Sequence, residues 1–165
     1  RFFGPLGLDD TVYQPAQAPS ADKAHGYWAS GSGYMDHTRD ATYLPFMAAV
    51  SIAGPAGAIA STARDLSVWA ADLYGGKVIS PGLLRQMTAI PGPGAYGLGT
   101  FEADFAGHLA YGHRGGIRGF ESSMWYFPDS GVSIALLSNQ GNWYTLGTST
   151  DVPLERMVKA VLGKA

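Results

Sequence analysis

Apolar residues fall into a helical rhythm after residue 60. Leu66, Trp69, Ala70 and Leu73 stand at i, i+3, i+4 and i+7, which places them on one helix face. Ser61 or Thr62 can cap this helix, and Asp65 suits its first turn, where a negative charge favours the dipole. Gly75-Gly76 closes it with residues that tolerate a left-handed C-cap. Ser80-Pro81 opens a shorter helix, with Pro81 where its missing N–H costs nothing and Leu83, Leu84 and Met87 as the buried side. Past the loop Pro91-Gly-Pro-Gly94 the pattern changes to four successive strands, Tyr96–Phe105, His108–His113, Gly119–Phe127 and Val132–Asn139. Pro128-Asp-Ser-Gly131 joins the last two as a hairpin, and connections this short force antiparallel pairing. Asp151 then caps a final helix with an apolar stripe of Leu154, Met157, Val158, Val161 and Leu162.

The first third of the chain is less regular. Residues 1–23 read as loop and short turns, and His25–Ala29 and Gly33–His37 as short strands about a Ser-Gly-Ser turn. Residues 38–60 read as an irregular buried segment. Ala41–Ala63 carries no charge over 23 residues, long enough to span a bilayer, but Pro45 and Pro55 break it and Gly54 and Gly57 loosen it. Lipid would leave such a backbone unsatisfied, so no membrane span is expected. The order is helices, then an antiparallel sheet, then a helix laid on it. This is an α+β pattern, an antiparallel sheet with packed helices, in a single domain over 1–165.

Composition narrows the function classes. At 46% apolar and 15% charged, the chain of 165 residues can bury a core, and its 23 glycines and 10 prolines then indicate many turns rather than disorder. The net charge of −2, with no block of Lys or Arg, argues against nucleic acid or an anionic membrane as a partner. The absence of cysteine excludes disulfides, thiolate zinc sites and thiol catalysis.

Four patterns could carry chemistry. Gly92-Pro-Gly-Ala-Tyr-Gly97 fits GxGxxG, but a helix precedes it, a strand follows and Pro93 removes an amide, so a turn is expected and no nucleotide cofactor. Ser20-Ala-Asp-Lys23 fits SxxK, the spacing of serine acyl-enzymes; Pro19 and the extended stretch after it lack the helix that would bring Lys23 back onto Ser20. His25, His37, His108 and His113 form no i, i+3 or i+4 pair on a helix, so no metal is expected. His113-Arg-Gly-Gly116 differs. It ends a strand and opens Gly115-Gly-Ile-Arg-Gly119, where a substrate can lie against the backbone and amides can face a developing negative charge. His113, Arg114 and Arg118 make the densest cationic cluster in the chain, whose plain alternative is a bulged hairpin with solvated charges.

Taken in order, these pieces resemble the C-terminal part of the serine β-lactamase-like hydrolases, which include class C β-lactamases, D-Ala-D-Ala carboxypeptidases, esterases and D-amino-acid peptidases. Phe3-Gly-Pro-Leu-Gly-Leu-Asp-Asp-Thr11 is similar to the family's PLGM-x-x-T stretch, and Ala56-Gly-Ala-Ile-Ala-Ser-Thr-Ala-Arg-Asp-Leu66 to its GG-L-x-ST-x-x-DL stretch. Tyr96-Gly-Leu-Gly99 matches its YGLG strand, and Tyr111-Gly-His-Arg-Gly-Gly-Ile-Arg-Gly-Phe120 its GH-x-G-x-x-x-GF strand and turn. Phe127-Pro-Asp-Ser-Gly131 with Leu137-Ser-Asn139 matches the last hairpin of its sheet. The resemblance implies the C-terminal portion of a β-lactamase/transpeptidase-like fold and an acyl-enzyme mechanism on β-lactam, D-amino-acid peptide or ester substrates. It implies His113, Gly115 and Gly116 as catalytic positions in the third active-site element, Lys-Thr-Gly or His-x-Gly in relatives, with the Gly116 amide as half of an oxyanion hole. It implies Arg114 as substrate-binding, although relatives that cleave β-lactams carry threonine there. It also implies an extracytoplasmic location and no cofactor.

In the family, the serine-bearing SxxK and the Tyr-x-Asn element precede the PLGM stretch, which here is residues 5–8, and neither Asn139 nor Asn142 has a tyrosine two residues earlier. The expectation is a partial domain, the downstream half of a hydrolase whose true start lies upstream of Arg1. Its partners would be an acyl substrate and either a complementing upstream half or a second copy. An uncovered sheet edge near Gly119–Phe127, or that sheet's apolar face, would mediate the latter. Two rivals remain: a non-catalytic binding or structural module, and a complete small esterase using Ser20 and Lys23.

Overall fold

The computed structural model describes residues 2–16, 23–30, 33–36, 38, 46–92, 95–117, 119–141 and 150–163. Its centre is one antiparallel sheet of four strands in chain order, β5 (Phe101–Phe105), β6 (His108–Ile117), β7 (Phe120–Phe127) and β8 (Val132–Ser138). Preceding elements are β1 (Val12–Tyr13), β2 (Tyr27–Ser30), β3 (Gly33–Asp36), α1 (Phe46–Ala53), β4 (Ile59–Ala60), α2 (Ala63–Tyr74) and α3 (Pro81–Met87); α4 (Asp151–Leu162) follows the sheet. The α+β reading stands.

The strand period of two sorts the sheet into two faces. On one, Trp125, Phe127, Ala110, Phe105 and Ile134 meet Leu154 and Val158 of α4, and this cluster is the main core. On the other, Tyr74 of α2 stacks between Tyr111 and Tyr126, at 6.3 and 6.2 Å between ring centroids. The Ser133 hydroxyl on the same face donates to the Ser67 carbonyl at 2.8 Å. Burying Leu154 and Val158 is worth about 1.5–3 kcal/mol each, enough to hold α4 on the sheet.

α2 begins as its sequence predicts. Thr62 is the N-cap, its hydroxyl accepting from the Asp65 N–H at 3.2 Å, and Gly76 takes the left-handed conformation at the other end (φ 83°). The Asp65 carboxylate also accepts from the Asp10 N–H (3.0 Å) and the Thr11 hydroxyl (2.8 Å), which ties the N-terminal loop to this helix. The β2–β3 hairpin is joined to the segment after β8 through Tyr27, whose N–H donates to the Asn139 carbonyl (2.8 Å) and whose carbonyl accepts from the Gly141 N–H (3.1 Å), and Gly26 lies against Gly119 at the β6–β7 turn. A Cβ on Gly119 (φ 81°) would lie 2.5 Å from the Gly26 backbone, so only glycine admits this approach.

Several boundaries differ from expectation. Residues 46–53, read as irregular, are the helix α1; Met, Ala and Ile sustain helix here until Gly54-Pro55, and Val50 seats it on Ala58, Ile117 and Phe120. β5 begins at Phe101 rather than Tyr96, because Gly99 (φ 72°) turns the chain first and Tyr96 forms only an isolated bridge to Phe101. β6 runs four residues past His113, paired with β7 as far as Ile117↔Phe120. β7 is an inner strand, so among the described residues the edge strands of the sheet are β5 and β8 rather than Gly119–Phe127. Leu83 is exposed on α3. On α4, Thr150 holds the N-cap position, Asp151 is the first helical residue, and Met157 and Val161 face outward. Among the described residues, no helix is long and apolar enough to cross a membrane. Ser20, His37, Arg118 and the Pro93-Gly94 pair lie outside the described residues.

Candidate active site

The strand β6 positions the site. Ala106 and Gly107, both at positive φ (59° and 90°), form the two-residue turn from β5, so the flanking Phe105 and His108 are a hydrogen-bonded pair. Such pairs alternate along an antiparallel ladder, and even-numbered residues of β6 therefore turn their N–H and C=O toward β5. The pairing with β5 ends at Phe101↔Gly112. Arg114 and Gly116 direct their backbone groups to the same side, past the end of β5, where no described strand meets them. An extended ligand can bond to such a stretch, and the Gly116 N–H is one of its donors.

A cleft of about 260 Å³ lies along this stretch. His113, Arg114, Gly115 and Gly116 of β6 line it with Glu121 and Ser122 of β7, between Phe101 and Thr150. Gly115 is opposite Ser122, and a Cβ there would fall 2.4 Å from the Ser122 hydroxyl oxygen, so glycine keeps that hydroxyl in the cleft wall. The four residues singled out in sequence, His113, Arg114, Gly115 and Gly116, thus border one cavity.

Arg114 and His113 are both engaged. The Arg114 guanidinium lies over the Trp125 ring, 5.7 Å from its centroid, a cation–π distance. Its Nε is 3.1 Å from Asp151 Oδ1, a charge contact without an aligned hydrogen bond. The pair joins the site strand to the start of α4. His113 Nδ1 bonds to the Arg114 carbonyl and Nε2 to the Tyr96 hydroxyl at 2.9 Å. Tyr96 and Phe101 flank the imidazole, with ring centroids 5.6 and 5.1 Å from it.

Two features escaped the sequence reading. Tyr96 is 17 residues from His113, and its YGLG motif is read only as the start of a strand, with no link to the histidine. His25 and Asp36 also pair, Nδ1 to Oδ2 at 2.7 Å, in the β2–β3 hairpin, away from the cleft. The Thr38 hydroxyl, and then His25, hold the Asp36 carboxyl down to about 2. Of the SxxK-like pair, Lys23 is half-buried, and burial lowers its ammonium from the ordinary lysine value.

The chain matches the Beta-lactamase family over residues 1–151 and belongs to that family. Its fold is the serine β-lactamase-like one. It is similar to the D-amino acid amidase of Ochrobactrum anthropi SV3, in a crystal structure with L-phenylalanine amide, at 25% identity and TM-score 0.83, over 98% of this chain and 49% of the amidase. A D-stereospecific amidohydrolase from Streptomyces sp. is 26% identical with TM-score 0.73, over 100% of this chain and 47% of that one. The octameric penicillin-binding protein homologue from Pyrococcus abyssi, 20% identical with TM-score 0.74, shares the fold over 99% of this chain and 36% of its own. The chain spans about half the length of the two amidohydrolases.

Proposed function

We propose that this chain carries the third active-site element of a serine hydrolase that works through an acyl-enzyme on amides, peptides or esters of D-amino acids. His113 and Gly115 are the His-x-Gly of that element, and the Gly116 N–H is one donor to the oxyanion. Arg114 and the Ser122 side of the cleft meet the substrate. The attacking serine and its base come from polypeptide beyond these 165 residues, as the half-length match to the two amidohydrolases suggests. The observation that carries this reading is the stretch of β6 past the end of β5, with His113 and Gly116 together on the rim of the cleft. The names of those relatives favour D-amino-acid substrates over β-lactams, as does arginine at position 114 in place of threonine.

The test joins the chain to the upstream portion of its parent open reading frame and follows hydrolysis of D-phenylalanine amide. His113→Ala is expected to lower turnover by about a hundredfold or more, on the scale of the about 2.7–4 kcal/mol that one lost group stabilising transition-state charge costs. The thermal midpoint should stay put, because His113 lies at the cleft rim outside the main core. Full turnover in the variant overturns the assignment. A serine-directed phosphonate applied to the 165-residue chain alone should leave its mass unchanged; a label on Ser20 would instead make the chain a complete small esterase.

A further inference from the structure

Tyr96 stands outside the sheet, and the loop that carries it is pinned on both sides. The Gly97 N–H donates to the Thr100 carbonyl at 2.8 Å, and Gly99 at φ 72° closes the turn with its N–H on the Gly97 carbonyl at 3.0 Å. Thr100 is fully buried; its hydroxyl bonds to Tyr74 and donates to the Gly112 carbonyl at 3.4 Å. A Cβ on Gly97 would sit 2.8 Å from the Met87 carbonyl, so α3 closes on this loop from the other side. Tyr96 is 53% exposed, yet its ring is laid against Phe101 at 4.5 Å and its hydroxyl is delivered to His113 Nε2.

The bonding of His113 has one consistent proton arrangement. A carbonyl oxygen can only accept, so Nδ1, which faces the Arg114 carbonyl, carries the hydrogen. In the neutral ring Nε2 is then the acceptor, and the Tyr96 phenol donates to it.

We propose that Tyr96 is a positioning residue for His113: its hydroxyl, acting with the Arg114 carbonyl, fixes the imidazole in the Nδ1–H tautomer and holds its orientation at the cleft. The consequence for chemistry is specific. Neutral His113 presents no free N–H to a ligand, because both ring nitrogens already have partners. When a proton arrives on Nε2, that nitrogen becomes the donor and the phenol oxygen the acceptor. Tyr96 keeps its own hydrogen, and its O–H is released to bond outward. His113 thus hands a hydrogen bond to the cleft through Tyr96. The functional weight of this coupling rests on the proposed role of His113; the tautomer does not.

The experiment is a long-range 1H–15N spectrum of the imidazoles in the full 165-residue chain. His113 is expected as the Nδ1–H tautomer. His108, whose Nε2 faces the Gly163 carbonyl at 3.4 Å, is expected as Nε2–H and serves as the internal comparison. Tyr96→Phe removes only the hydroxyl and leaves Nε2 to water, which can accept as well as donate. The Nε2–H share of His113 should then rise about fivefold, the effect of one net hydrogen bond. His108 and the amide signals remote from residues 95–101 and 111–115 should not move. An Nε2–H tautomer in the wild type, or an unchanged ratio in Tyr96→Phe, overturns the proposal. Should the variant fail to fold, the wild-type tautomer alone decides. If the tautomer behaves as expected while His113→Ala keeps full turnover in the joined enzyme, the proposed function falls and the positioning by Tyr96 stands.

Discussion

Asp65 is an acidic residue buried to 1% exposure at the head of α2, and its surroundings explain why it is tolerated there. It accepts from the Asp10 N–H and the Thr11 hydroxyl, and its own N–H is bonded to the Thr62 cap. The two family-like stretches at residues 3–11 and 56–66 are thus the two halves of one junction. In Asp65→Asn, the amide oxygen can keep the Asp10 and Thr11 bonds, both made to Oδ2, but the charge that strengthens them is lost and the NH2 group faces the Arg64 guanidinium, itself a donor. We expect a loss of about 1–3 kcal/mol, read as a lower urea midpoint with unchanged slope. Asp36 gives a prediction in pH. Its folded pKa, held to about 2 by the Thr38 hydroxyl and by His25, is below the ordinary value of 3.8. Its contribution is therefore complete above about pH 4 and is lost as pH falls toward 2. The His25 ring signals should follow that titration, and Thr38→Ala should move its midpoint up toward 3.8. A midpoint unmoved in Thr38→Ala would mean that the hydroxyl is not the main cause.

At the scale of elements, α4 shows how a periodic pattern is trimmed by packing. Leu154, Val158 and Leu162, spaced by four, meet the sheet, while Met157 and Val161 are 38% and 59% exposed. Leu154→Ala should cost about 2–5 kcal/mol in a denaturant melt, and Val161→Ala should stay within about 0.5 kcal/mol. Equal losses at both positions would place α4 differently. The sequence marks these five apolar residues but cannot say which stripe the sheet covers. β6 is a second case. Its glycines at 115 and 116 have low strand propensity and read as the end of the strand. Pairing with Ser122 and Glu121 of β7 extends it anyway, since a ladder partner outweighs a local preference.

At the scale of the molecule, no strand among the described residues pairs with the outer side of β5 or of β8. β8 pairs with β7 on one edge, and its outer edge, Val132–Ser138, has no described strand beside it. A seven-residue edge with Leu137 at 39% exposure is a template for another chain. We expect the isolated chain to self-associate there, or to accept the upstream polypeptide proposed above. Leu137→Lys should shift light scattering toward monomer by placing a charge at the edge. A monomeric wild type at high concentration would count against an open β8 edge.

The amino-acid pattern by itself determined the kinds and order of the main elements: the capped helix after Thr62, four strands with short connections, and a last amphipathic helix. These rest on local chemistry, namely side-chain caps, glycine turns and periods of two and 3.6. It also marked His113 to Gly116 as one cluster, because those residues are contiguous. Only the tertiary structure decided that β7 is an inner strand, that β6 outruns β5 and carries the Gly116 amide past the end of that pairing, and that Tyr96 reaches His113. Each of these depends on where a distant segment ends or is pinned, as Thr100 is by Tyr74 from 26 residues away, and no local preference carries that information.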